Sequence, residues 1–446
     1  MSDYDTIVAQ ATPPGRGGIS IVRVSGAKVQ SIAQAIIKKI PTPRLAEHHH
    51  FKDQNNDLID MGIVLYFPAP HSFTGEEVLE FQGHGSPIVV DRLIASILQA
   101  GARIAKPGEF SLRAFLNSKI DLTQAEAIAD LIDSASQQAA RLALRSLQGE
   151  FSRHIQSLLD AVIKLRTYVE AAIDFPEEEI DFLSDGKVEQ DLNALLAQVE
   201  KIHQAAVQGA SFREAKTAVI VGPANVGKST LLNRLSGRAS AIVTEVAGTT
   251  RDLIREHILL DGVAMTVVDT AGLRESTDPI EQEGMARTWQ QIETADIVLL
   301  VSDICSQHEE AFVKIKQQLT QRLDKNSSII MIFNKLDLTT EIEHEDGVIY
   351  LSAKTGQGLS KLYEHLKSLT QNNIEGCFIA RRRHLDALEK TQQALLSGYQ
   401  QFQGQCAGEL LAEELRIAQQ ALGEITGQFS ADDLLGKIFS EFCVGK

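Results

Sequence analysis

The sequence predicts a multidomain chain that is part α/β and part all-α. It should hold an N-terminal α/β domain, a helical domain built from two separated segments, and a Ras-like P-loop domain inserted between those segments. Three observations lead there. At 446 residues the chain is too long for one hydrophobic core, so two or three domains are expected. Gly222-Pro223-Ala224-Asn225-Val226-Gly227-Lys228-Ser229 has the Gly-x-x-x-x-Gly-Lys-Ser form of a phosphate-binding loop, set between a buried strand at 218–221 and a helix at 229–235. Between Pro107 and Pro176 there is no proline, Gly149 is the lone glycine between Gly108 and Gly186, and helical pattern returns after Arg383. The expected domains are 1–118 (α/β), 119–210 (first helical half), 211–374 (nucleotide-binding) and 375–446 (second helical half).

The N-terminal region alternates strand and helix. Strand character falls at 19–24, 62–67 and 78–81, and helices at 28–40 and 87–98. Gly15-Arg16-Gly17-Gly18 and Gly83-His84-Gly85 read as turns, and neither has dinucleotide-loop spacing. His48-His49-His50 reads as a solvated polar loop rather than a metal site. From Leu122 onward, Ile128, Ile132, Ala135, Ala139 and Leu142 recur at spacings of four and three. Two long helices are expected there, with a bend near Gly149, then a solvated acidic connection around 175–182 and a third helix over 188–208. Past the nucleotide domain, helices are expected at 385–399, 410–422 and 432–439.

Composition is that of a globular protein, 43% hydrophobic and 23% charged, with no apolar run of membrane-spanning length. The acidic start, Met1-Ser2-Asp3-Tyr4-Asp5, lacks the features of a signal or transit peptide. Cys305, Cys377, Cys406 and Cys443 have no metal-ligand spacing and suggest a reducing compartment, so a cytoplasmic location is expected. A net charge of −16 argues against an overall basic nucleic-acid binder. The candidate for a local basic patch is Arg381-Arg382-Arg383-His384, weighed against a solvated helix start.

The phosphate loop is followed in order by four further elements. In it, backbone amides from Asn225, Val226 and Gly227 onward can surround phosphate oxygens, Lys228 can reach the outer phosphates, and Ser229, followed by Thr230, offers a hydroxyl to Mg²⁺. Thr244-Glu245-Val246-Ala247-Gly248-Thr249-Thr250 precedes Arg251-Asp252, where a Mg²⁺-sensing threonine belongs. Asp269-Thr270-Ala271-Gly272 ends a hydrophobic strand: Asp269 can hold Mg²⁺ through water and the Gly272 amide can meet the γ-phosphate. Asn334-Lys335-Leu336-Asp337 supplies a carboxylate that can accept from guanine N1–H and the exocyclic amine. Ser352-Ala353-Lys354 offers backbone to the guanine oxygen. The ordered set reads as a GTPase. The position after Gly272 is Leu273, which cannot orient water as glutamine does in Ras-like GTPases. Asn225 could help hold a monovalent cation, and Glu281 is the candidate carboxylate for positioning water.

These residues resemble the MnmE (TrmE) family of tRNA-modification GTPases over essentially the whole chain. The resemblance is carried by Asn225, residues 248–252, residues 9–18, Pro107-Gly108-Glu109-Phe110, residues 121–127, residues 411–416 and the terminal Phe442-Cys443-Val444-Gly445-Lys446. One departure is that Pro223 stands one place earlier in the loop than is common in the family. The resemblance implies a K⁺-stimulated GTPase, with K⁺ near Asn225, Thr244, Val246 and Thr249, Mg²⁺ at Ser229 and Thr250, and Glu281 as catalytic glutamate. It also implies a folate-binding, homodimerising N-terminal domain with contacts from Arg23, Glu80, Lys119 and Lys446, and Cys443 nearby as a possible thiol. The implied reaction places an aminomethyl or carboxymethylaminomethyl group on carbon 5 of the wobble uridine of certain tRNAs. A tetrahydrofolate derivative (methylene or formyl form) would supply the carbon. An FAD-containing MnmG-like partner would join in a heterotetramer or larger assembly, with no membrane involved. The alternative is a regulatory or ribosome-assembly GTPase with RNA-binding flanking domains.

Overall fold

The computed structural model describes residues 5–134, 136–174, 186–210, 212, 216–238, 255–260, 263–269, 288–304, 310–323, 328–339, 345, 347–370, 376–405, 408–428, 432–440, 442 and 445. The chain divides into two compact units. The first comprises Met1–Ile132, Ala143–Ala206 and Arg381–Lys446, and the second Asp133–Leu142 and Val207–Ala380.

In the first unit, six strands form one sheet in the order β3-β4-β5-β2-β1-β6. They are β1 (Ile7–Gln10), β2 (Gly17–Ser25), β3 (Glu47–Lys52), β4 (Leu58–Phe67), β5 (Val78–Gly85) and β6 (Arg103–Ile104). Helices Val29–Ile37 and Pro87–Gln99 supply Val29, Ile32, Ile36, Val90, Leu93 and Ile97 to a core shared with Val22, Val24, Val64, Leu79 and Phe81. Every second residue of these strands points into that core, as the period of a pleated strand requires.

Two expectations in this region are corrected. His48-His49-His50 lies in strand β3, paired to β4 through His48↔Ile63, His49↔Gly62 and His50↔Met61, rather than in a loop. The edge position tolerates these polar side chains, because β3 needs only Phe51 in the core. Gly17-Gly18 and Gly83-His84-Gly85 are strand rather than turn. Gly17 pairs with Gly85, and a Cβ on Gly85 would stand 2.5 Å from the Gly17 carbonyl oxygen, so close backbone approach accounts for the glycine.

The helical part departs from the expected pair of long helices. The segments are Glu109–Leu116, Leu122–Ile132, Gln137–Leu147 and Glu150–Asp174. The first break is a new start: Ser136 Oγ accepts the Ala139 amide at 3.0 Å, an N-terminal cap. The second falls where the sequence placed a bend, at Gly149 with φ +78, the left-handed conformation that ends a helix. Helices Lys187–Ala210, Arg382–Gln405, Gly408–Thr426 and Asp432–Ser440 complete the set. Leu411, Leu415, Ala418, Leu422 and Ile425 form the buried stripe of Gly408–Thr426. The C-terminal helix packs Leu435, Ile438 and Phe439, with Phe442, on Leu122 and Ala125.

Arg381-Arg382-Arg383-His384 is not the basic patch weighed from sequence. Arg383 and Arg381 ion-pair with Glu126 and Asp130, His384 is buried beside Glu126, and Arg382 is the exposed member of the four.

The second unit carries a sheet in the order β12-β11-β10-β7-β9-β8. Its strands are β7 (Lys216–Val221), β8 (Arg255–Leu260), β9 (Val263–Asp269), β10 (Ile297–Asp303), β11 (Ser328–Asn334) and β12 (Val348–Tyr350). All neighbours are parallel except β8 and β9. Ala218 and Ile220 face one core with Leu231, Leu235, Leu362 and Leu366, while Val219 and Val221 face the other with Ile292, Phe312 and Leu319. Strands buried on both faces must be continuously apolar, which is why they are plain in the sequence.

Candidate functional site: a phosphate loop joined to a base-reading cluster

Central strand β7 ends at Val221 and helix Lys228–Arg238 begins after the intervening loop, the position where open parallel sheets bind ligands. Three backbone features shape this loop. A Cβ on Gly222 would lie 2.0 Å from the Val301 carbonyl oxygen, so β10 approaches too closely for any side chain. Asn225 adopts φ +63, and its side chain is exposed. Gly227 has φ +92, and a Cβ there would meet Asn334 Nδ2 at 2.4 Å. Lys228 is 8% exposed, and its Nζ donates to the Gly222 and Pro223 carbonyls at 2.9 and 2.8 Å. The ammonium therefore sits folded over the loop, with its charge held among amides and carbonyls that can turn to phosphate. Ser229 and Thr230 are exposed in the first helical turn.

The C-terminal ends of β11 and β12 bring the second half of the site. Asn334 Nδ2 donates to Val226 O at 2.8 Å, and Asn334 Oδ1 accepts the Ala353 amide at 2.8 Å. One buried carboxamide thus ties the phosphate loop to the segment 352–354, using both its donor and its acceptor. Ser352 Oγ donates to Asp337 Oδ1 at 2.6 Å. That hydrogen bond holds the Asp337 carboxyl below its ordinary range, with Lys354 and Lys335 adding to the effect, so the group remains an ionised acceptor. Lys335, at φ +67, pairs with Asp303 at 2.6 Å.

The sequence reading did not include Asp303 or Arg234 in the site. Asp303 could have been suspected as the last residue of a central strand. Arg234 carries no local signal, because its partners, the Ala353 and Lys354 carbonyls, lie over a hundred residues away.

Asp269 closes β9, opposite Ile220. The segments with Thr244, Glu245, Val246, Ala247, Gly248, Thr249 and Thr250, with Thr270, Ala271 and Gly272, and with Glu281 lie outside the described residues, as do Cys443 and Lys446.

In the first unit, Arg23 and Glu80 face each other across β2 and β5 and are ion-paired, Nε to Oε1, at 2.9 Å. The Arg23 guanidinium carbon lies 5.9 Å from the centre of the Phe73 ring and 5.8 Å from that of Phe110. Lys119 is exposed, with its stem against Gly75. The C-terminal tail returns to this unit, since a Cβ on Gly445 would stand 2.2 Å from Gln10 O.

Sheet order, phosphate loop and the Asn334 linkage together define a P-loop GTPase. A family model described as the MnmE helical domain matches residues 122–443, and one described as the N-terminus of the GTP-binding protein TrmE matches residues 6–119. The tRNA modification GTPase MnmE of Pasteurella multocida (strain Pm70) is 55% identical over 450 residues, covering 99% of this chain and 100% of its own length. Its counterpart from Proteus mirabilis (strain HI4320) is 54% identical over 454 residues, covering 100% of both. The G domain of the T. maritima FeoB iron transporter, 23% identical, covers 35% of this chain and 99% of its own at a TM-score of 0.28. This chain belongs to the MnmE family of tRNA modification GTPases.

Proposed function

We propose that the chain is a K⁺-stimulated GTPase that works as a homodimer with an FAD-containing MnmG-like partner, in a heterotetramer or larger. It installs an aminomethyl or carboxymethylaminomethyl group on carbon 5 of the wobble uridine of certain tRNAs, using a carbon from a methylene or formyl tetrahydrofolate. The observation that carries the GTP part is Asn334, whose carboxamide spans from Val226 O to the Ala353 amide and so makes phosphate and base binding one event. Asp337 reads guanine N1–H and the amine, and of the Ser352-Ala353-Lys354 backbone the Lys354 amide reads the oxygen, because the Ser352 and Ala353 amides already donate to Gln357 O and Asn334 Oδ1. Among the described residues no helix is long and apolar enough to cross a membrane, and we place the protein in the cytoplasm.

The donor sets suit the groups assigned to them. Ser229 gives a hard hydroxyl oxygen for Mg²⁺, joined by Thr250, and the Asn225 carbonyl oxygen suits K⁺, joined by Thr244, Val246 and Thr249. Arg23, flanked by Phe73 and Phe110 and paired to Glu80, puts a flat cation, aromatic rings and a carboxylate together at one end of a folate, with Glu80 on the pterin's donor edge and Arg23 beside it. Lys119 and Lys446 are assigned to add charge and Cys443 to offer a possible thiol, and the approach of Gly445 to Gln10 supports assigning the C-terminal residues to this domain. Bound Mg²⁺ and K⁺ supply neutralisation of charge developing at the phosphates, and folate supplies one carbon. Glu281 orients the attacking water in place of the glutamine that Leu273 replaces. The four domains 1–118, 119–210, 211–374 and 375–446 divide these tasks.

Nucleoside mass spectrometry of tRNA from a deletion strain tests the reading: modified wobble uridine should fall and return on complementation. Unchanged modification would refute it. GTP turnover should be faster in K⁺ than in Na⁺ at equal ionic strength, and equal rates would remove K⁺ from the proposal.

A further inference from the structure

The helix Lys228–Arg238 starts at the phosphate loop and carries Arg234 on an exposed position. The Arg234 guanidinium forks onto two successive carbonyls of the segment that follows β12. Nε donates to Ala353 O at 3.2 Å and Nη2 to Lys354 O at 2.6 Å. Ala353 is buried and its carbonyl takes the arginine as partner, while Lys354 is exposed and water could satisfy its carbonyl. What the fork adds is restraint. A guanidinium is planar, and two donors on adjacent carbonyls fix both peptide planes.

The consequence follows from peptide geometry. In a trans peptide the C=O and the N–H point in opposite directions. Drawing the Ala353 carbonyl towards Arg234 turns the Lys354 amide away from it, and drawing the Lys354 carbonyl does the same to the Thr355 amide. The Thr355 amide donates to Ser352 Oγ at 3.1 Å, and Ser352 Oγ donates to Asp337 Oδ1 at 2.6 Å. A continuous chain of contacts therefore runs from the helix that holds Lys228 to the carboxylate assigned to guanine.

We infer that Arg234 is a positioning residue for base selection: it clamps the 353–354 carbonyls, and through Thr355 and Ser352 it sets the orientation of Asp337. The inference rests on the assignment of Asp337 to guanine in the proposed function. Because Arg234 and Lys228 share one helix, a shift of the phosphate loop reaches the base-reading loop by this route as well as through Asn334.

The test is the ratio of GDP to ADP affinity, measured on the full chain by displacement of a fluorescent guanine nucleotide. Arg234→Ala should weaken GDP binding about tenfold, the worth of one charged hydrogen bond, and leave the weaker ADP binding unchanged. Arg234→Lys, which keeps charge and one donor, should recover part of the ratio. An unchanged ratio in Arg234→Ala, or an equal fall for both nucleotides, would overturn the inference, the second outcome meaning a general structural role. If Arg234→Ala does not fold, Arg234→Gln retains bulk without the fork and should lower the same ratio, and an unchanged ratio there has the same force. Failure of the underlying reading looks different: wild-type protein would not prefer GDP to ADP, and Asp337→Asn would leave the preference unmoved.

Discussion

Arg383 grips the Glu126 carboxylate with both prongs of its guanidinium, Nε to Oε1 at 2.7 Å and Nη2 to Oε2 at 2.6 Å. Two further donors go to helix-end carbonyls, Glu424 O at 3.0 Å and Ile425 O at 3.1 Å. His384 Nδ1 accepts the Arg381 amide at 3.0 Å, and its Nε2 lies 2.9 Å from Glu126 Oε2. Arg381 reaches Asp130 at 2.9 Å. The start of helix Arg382–Gln405 is thereby bound to Leu122–Ile132 and to the end of Gly408–Thr426, just where the chain passes from residue 380 of the second unit to Arg381 of the first.

Glu126 is 1% exposed, so removing it leaves buried cations without their counter-charge. Glu126→Ala is expected to cost about 3–5 kcal/mol in urea unfolding of the first unit. Arg383→Lys keeps the charge and loses the fork, and should cost less than Glu126→Ala.

The same cluster sets an acid limit. Burial pushes the His384 imidazole below its usual value; Arg383 and Arg381 act in the same direction, and Glu126 opposes them. Folded His384 is therefore neutral, and below about pH 6.5 the unfolded chain binds a proton that the folded chain refuses, so stability falls as pH drops. Burial would raise the Glu126 carboxyl, but the hydrogen bond from neutral His384 and the Arg383 guanidinium outweigh it and hold it well below the carboxylate range. Its contribution is complete above about pH 4.3 and is lost as pH falls further. Urea midpoints measured against pH should show two stages of loss, and His384→Gln should abolish the upper one.

Base selection offers a third test. Asp337→Asn exchanges an acceptor for a group that can donate, and should move preference from guanine to xanthine nucleotides by on the order of a hundredfold. Ser352→Ala removes the main cause of the lowered Asp337 carboxyl, whose titration followed by NMR should then move upward.

Gly227→Ala tests the linkage between the two halves of the site. The new Cβ would be 2.4 Å from Asn334 Nδ2 at a backbone φ of +92, so Asn334 must leave Val226 O. GTP affinity should fall more than about tenfold, the order of one buried hydrogen bond plus backbone strain.

Glu281→Ala should cut GTP turnover while leaving GTP affinity largely intact. Loss of binding, read by nucleotide titration, would instead give Glu281 a structural role.

The nucleotide motifs were legible because each is contiguous: a phosphate loop must be built from neighbouring residues, and β7, β10 and β11, buried on both faces, leave no choice but apolar runs. Strand β3 was hidden because an edge strand with one core residue, Phe51, carries almost no hydrophobic alternation. The helical seam through Ile132 and Ala139 suggested continuity, since periodicity does not register the Ser136 cap that restarts the helix.

By itself the sequence determined the family, the phosphate loop and the candidate base-reading residues, all properties of short spacings. Tertiary structure alone decided what the charges mean. Of four consecutive basic residues, Arg381, Arg383 and His384 became an internal tie because Glu126 and Asp130, some 250 positions away, are brought within hydrogen-bond distance of Arg383 and Arg381. Arg234, one unremarked arginine in a helix, became a clamp on the Ala353 and Lys354 carbonyls. Coulombic and hydrogen-bond energies depend on distance through space, which separation along the chain does not encode.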